Sequence, residues 1–116
     1  MAILSATGGV TKRMSALLER VKANLILQHD EDDALLLGYI AAAISYAEVY
    51  QHKPEGYYRR AKFPPSTEQA VVMLSSHFYE SRDGGTGGFF SDFVGAAANV
   101  WIAVHRLLAM GKDWKT

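Results

Sequence analysis

The chain has 116 residues, twelve basic and twelve acidic side chains, and no cysteine. Its length suits one domain, residues 1–116. The missing cysteines exclude disulfides, thiolate metal sites and a cysteine nucleophile, and the balanced charge argues against tight binding through neutralised phosphates. No apolar run approaches the roughly 18 residues a membrane span needs, and the start MAILSATGGVTKR lacks a secretory pattern. These features lead us to expect a soluble, intracellular protein.

In chain order, the Ser, Thr and Gly content of residues 1–13 reads as a flexible arm. Ser15 is positioned to cap a first helix over roughly 15–25, with Leu17, Leu18, Val21 and Leu25 on one face. Asp30 suits an N-cap. Glu31, Asp32 and Asp33 fill the first turn of a second helix, where carboxylates offset exposed N–H groups and the helix dipole. That helix is predicted over 31–51, with Leu36, Tyr39, Ile40, Ala43, Ala47 and Tyr50 at three- and four-residue steps. Gly38 and the alanines after it suggest a closely approaching neighbour.

Pro54, Gly56, Pro64 and Pro65 make 52–65 a long connection. Ser66 with Gln69 matches a capping box, and a third helix follows over 67–82. Val71, Val72, Met73, Leu74, Phe78 and Tyr79 make it apolar around much of its circumference, which places it centrally in a bundle. A glycine-rich stretch, 83–95, is expected to be flexible. The fourth helix, 96–110, carries Ala97, Val100, Trp101, Val104, Leu107 and Leu108 as its stripe, and Gly111 suits its C-terminal cap. The predicted fold is all-α, a small bundle of about four helices with long loops and mobile termini.

No catalytic constellation emerges. The glycines of DGGTGG lack the lysine and the preceding strand of a phosphate loop. His29, His52, His77 and His105 do not fall at zinc-ligand spacing, and no Gly-x-Ser-x-Gly elbow is present. Asp30, Glu31, Asp32 and Asp33 lack the glycine and distal glutamate of a calcium loop. They suit a helix start or a surface that repels passing phosphates. The stretch KPEGYYRRAK, 53–62, combines basic charge with Tyr57, Tyr58, Arg59 and Arg60. It reads as a solvated loop, a protein contact or a nucleic-acid grip. Phe89, Phe90 and Phe93 either meet a partner or pack on their own core.

Four motifs in order resemble the head–tail connector (adaptor, or head-completion) family of tailed bacteriophages. They are Val21–Lys22, His29 to Asp33, Pro64–Pro65, and Phe78-Tyr79-Glu80-Ser81-Arg82. The likeness covers about residues 15–83, with Ile26 standing where the family often carries arginine. The resemblance implies a structural virion protein with no enzymatic activity and no cofactor. It implies a homo-oligomeric ring on a portal of about twelvefold symmetry, whose subunits meet through a heterologous contact that closes. The ring would meet the portal protein on one side and a head-closure or tail protein on the other. DNA would pass through its lumen, and assembly would take place in the host cytoplasm. Interface candidates are Tyr57, Tyr58, Arg59, Arg60, Phe89, Phe90 and Trp114, with Glu80 and Arg82 as an intersubunit ion pair and 30–33 as a lumen cluster. A small helical DNA-binding regulator is the alternative, although the third helix is too apolar to lie in a groove.

Overall fold

The computed structural model describes residues 8–82 and 90–112, with side chains from Lys12 to Arg82 and from Ala98 to Lys112. Among the described residues there are five helices and no strand: α1 (Gly8–Leu25), α2 (Asp33–Tyr50), α3 (Tyr57–Arg60), α4 (Pro65–Glu80) and α5 (Phe90–Ala109). The expected bundle of four long helices is present, with one extra turn in the first connection. Of the glycine-rich stretch 83–95, residues 83–89, with Phe89 among them, lie outside the described residues, as does Trp114; residues 90–95 are helical, so α5 begins six residues before the expected start at 96. The side chains of Phe90 and Phe93 also lie outside them.

As its apolar circumference predicts, α4 packs against α1, α2 and α5. It buries Ala70, Val71, Val72, Leu74 and Tyr79. Leu17, Leu18 and Val21 of α1, Leu36, Ile40, Ala43 and Ala47 of α2, and Val104 and Leu108 of α5 complete the core. These are the stripes read from three- and four-residue spacing, because that spacing keeps one helix face turned inward.

Several local expectations are corrected. Helix α1 starts at Gly8 and not at Ser15, so part of the predicted arm is helical. The reason is tertiary: the Arg13 guanidinium donates to the carbonyls of Tyr58 and Ala61, the latter at 2.7 Å, and Met14 packs on the core. Such anchoring overrides the low helix propensity of the glycines. The N-cap of α2 is Asp32 rather than Asp30, and it makes no side-chain capping bond. No capping box forms on α4. Pro64 is its N-cap, Pro65 opens the helix with a preset φ, and Gln69 turns away to accept from Arg20 at 2.9 Å.

Gly38 faces open space, with nothing within 4 Å of where a Cβ would stand, so no neighbour explains it. Gly111 does not take the left-handed conformation expected of a cap. Its lack of a side chain serves close packing, since a Cβ there would stand 2.7 Å from Gln51 Nε2. Left-handed residues instead end α1 and α2, at Ile26 (φ 58°) and His52 (φ 63°). After each, the chain turns back with paired amides: Leu27 N–H to Lys22 O at 2.9 Å, and Lys53 N–H to Glu48 O at 2.8 Å. This is the Schellman arrangement, made here without glycine.

Candidate functional site

Two neighbourhoods draw in the polar residues singled out from sequence. The first is a clasp joining α1, α2 and α4. Lys22 lies along the core with its residue only 7% exposed, and its ammonium emerges between two carboxylates. Nζ is 2.6 Å from Asp30 Oδ1 and 2.9 Å from Asp33 Oδ1, the second an ion pair without hydrogen-bond alignment. The two carboxylates, Asp30 foremost, raise the Lys22 pKa above its ordinary value. Lys22 in turn holds the Asp30 carboxyl below its usual value of 3.8.

Between those two acids, Asp32 accepts a hydrogen bond from the Tyr79 hydroxyl of α4. The guanidinium of Arg82 lies 3.8 Å over the Tyr79 ring and donates to the Tyr79 carbonyl at 2.6 Å. Asn24 Nδ2 donates to Ser76 Oγ at 2.8 Å alongside. Three of the four acids therefore act inside the chain: Asp30 and Asp33 hold Lys22, and Asp32 holds Tyr79. Glu31 is exposed. Among the described residues no group of three or more His, Asp or Glu could hold a metal ion. Arg82 works at its own helix end, and Glu80 points to solvent.

The second neighbourhood is the connection between α2 and α4. Glu48, 4% exposed, accepts from the amides of Gly56 at 3.1 Å and Tyr58 at 3.0 Å, and so folds the chain into α3. Gly56 is left-handed at φ 80°, which favours glycine there. Tyr58 turns inward and is 2% exposed. Its ring stacks on Phe63 at 4.6 Å, and its hydroxyl donates to Gln51 Oε1. Burial pushes the phenol pKa up, so it stays a donor. Tyr58 is thus withdrawn from the interface candidates, because its side chain belongs to its own core.

Tyr57 is partly exposed and packs edge-on to Tyr58 with Lys53 Nζ 5.0 Å above its ring, while Arg59 and Arg60 are exposed. A groove of about 470 Å³ runs beside this loop, between Arg13 and Met14 of α1 and Ala41, Ile44 and Ser45 of α2. Gln51 is fully buried, with Nε2 donating to Thr67 Oγ1 at 2.8 Å and Leu108 O at 2.9 Å. Arg13, Glu48 and Gln51 were missed from sequence. A polar residue in register with the buried stripe, as Glu48 and Gln51 are after Ala43 and Ala47, was the available signal. The result is a loop tied to the core by Glu48 and Gln51, with Tyr57 partly exposed and Arg59 and Arg60 exposed.

The comparisons with known proteins bear on what such a scaffold is for. The model of the phage gp6-like head-tail connector protein family matches residues 15–92, more than half of the chain. The chain belongs to this family. No curated protein and no solved structure matches it. The matched span of this connector contains the whole clasp, so the motifs Val21–Lys22, Asp30–Asp33 and Tyr79–Arg82 are parts of one contact set joining three helices. Membership makes the protein a phage structural component that works with other head and tail proteins. Among the described residues no helix is long and apolar enough to cross a membrane.

Proposed function

We propose that the connector assembles as a ring on the portal vertex of a phage head and joins it to the head-closure or tail component, with DNA passing through the lumen. The observation that carries this reading is the family match over 15–92, a span in which three of the four motifs read from sequence meet in one clasp. The role asks for a stiff subunit whose docking groups do not collapse when a partner is absent. The clasp and the Glu48–Gln51 core supply that stiffness. The partly exposed Tyr57 and the exposed Arg59 and Arg60 supply a docking patch of residue types favoured at interfaces. Near-zero net charge suits a conduit, since a strongly basic lumen would retain DNA by its phosphates. The subunit copy number follows the portal, about twelve in the particle, through a heterologous contact that closes. Phe89, Phe90 and Trp114 remain docking candidates outside the described residues.

The test is assembly of particles carrying Arg59→Glu with Arg60→Glu. Both side chains are exposed, so the variant folds as the parent does by circular dichroism. Heads that fill with DNA but fail to gain tails are the expected result. Normal tailed particles from this variant would remove the loop from the docking surface.

A further inference from the structure

The outer face of α2 has no role in the reading above. Leu35, Gly38, Ala42, Ser45 and Val49 recur at steps of three and four and are all exposed, with Leu35 at 41% and Val49 at 75%. Exposed Glu31 lies just before the helix at one end, and half-buried Lys53 just past its last turn at the other. The three- and four-residue spacing is the seven-residue seam by which helices pair. Its chemistry has a symmetry of its own. The centre is Ala42, with Gly38 open to solvent beside it, so another helix can approach closely. The two bulky apolar groups, Leu35 and Val49, stand seven residues to either side of that centre. The charged ends are opposite in sign: acidic at Glu31, since Asp30 is already paired with Lys22, and net basic at Lys53, Arg59 and Arg60 despite Glu55.

We propose that the free protein pairs with a second copy through this face, α2 against α2, antiparallel about Ala42. A two-fold axis there sets Leu35 against Val49 of the second copy and brings the acidic end that carries Glu31 beside the basic end of the second copy. A parallel pair would instead set acid against acid and base against base. Charge therefore selects both the occupant and its direction. The 18 residues of α2 form a rod about 27 Å long, so a strip about 10 Å wide covers roughly 270 Å² per copy. The total, roughly 540 Å², is well under the ~1,200 Å² of stable complexes, which makes the pair weak and easily parted. It uses one patch twice and closes at two, unlike the heterologous contact a ring requires. The pair is thus a state of the chain before assembly, and it holds whether or not the ring reading does.

The absence of native cysteine makes the test direct. Ala42→Cys should give several-fold more disulfide-linked dimer under mild oxidation than Ile102→Cys, a control that is also exposed, on α5. Mixing Leu35→Cys with Val49→Cys chains should favour the mixed disulfide over either self-pair. Ala42→Glu should weaken dimerisation of the full chain in sedimentation by at least ~10-fold. Equal cross-linking at 42 and 102, self-pairs exceeding mixed ones, or an unchanged dimer in Ala42→Glu would each overturn the proposal.

Discussion

Replacing Gln51 by methionine tests how the α2–α4 connection is held. The two side chains have similar volume, so the change leaves no large cavity and acts mainly on hydrogen bonds. Gln51 is fully buried and makes three: to Thr67 Oγ1, to the Leu108 carbonyl, and from the Tyr58 hydroxyl. Methionine leaves these partners buried without their bond, at about 1–3 kcal/mol for each group so stranded. Allowing for one partner finding a substitute, two groups stay stranded and the loss is about 2–6 kcal/mol. A chain of this length carries roughly 6–17 kcal/mol in total, so the variant stays folded but markedly weakened. The melting temperature should fall by about 8–24 °C. Urea unfolding followed by circular dichroism gives the free energy directly. Loss of less than ~1 kcal/mol would refute the reasoning, because it would mean that the three bonds add little beyond what water supplies to the unfolded chain.

Other expectations follow from the same geometry. Gly111→Ala drives a methyl to 2.7 Å from Gln51 Nε2, which is held by two acceptors, so stability should drop by about 1–3 kcal/mol in the same assay. Ile26 is 80% exposed and left-handed, and Ile26→Gly should gain about 1 kcal/mol by removing that strain. The Lys22 clasp has a pH signature. The folded Asp30 carboxyl titrates below its unfolded value of 3.8, so its contribution is present above that pH and lost as pH falls through the folded value. Melting profiles from pH 6 to pH 2 should therefore fall more steeply for the parent than for Lys22→Met, and identical slopes would dismiss the clasp as a stabilising pair.

Helix placement was legible because burial repeats along these helices at three and four residues. The core faces of α1, α2 and α4 read directly, from Leu17 and Val21 through Leu36 and Ala43 to Val71 and Leu74. What stayed hidden depends on contacts far apart in sequence. Asp30 has every local attribute of a cap, yet Lys22 claims it across the α1–α2 turn. Gln69 completes a capping pattern but is drawn to Arg20, which also pairs with Glu68 at 2.6 Å. Tyr58 sits in a polar, basic stretch that reads as surface. Only Gln51 and Phe63, brought beside it by the turn at Gly56, give its hydroxyl and ring a place inside. The family motifs were visible as an ordered set, but a list of residues does not reveal that Lys22, Asp32 and Tyr79 belong to one clasp.

The most direct measurement is electron microscopy of the purified full-length protein mixed with portal-bearing, DNA-filled heads that lack it. The account predicts a ring of copies on the portal, one per portal subunit, with an open lumen and with Tyr57, Arg59 and Arg60 at a contact. Heads whose portal stays bare at saturating protein, or protein bound elsewhere on the capsid, would contradict it.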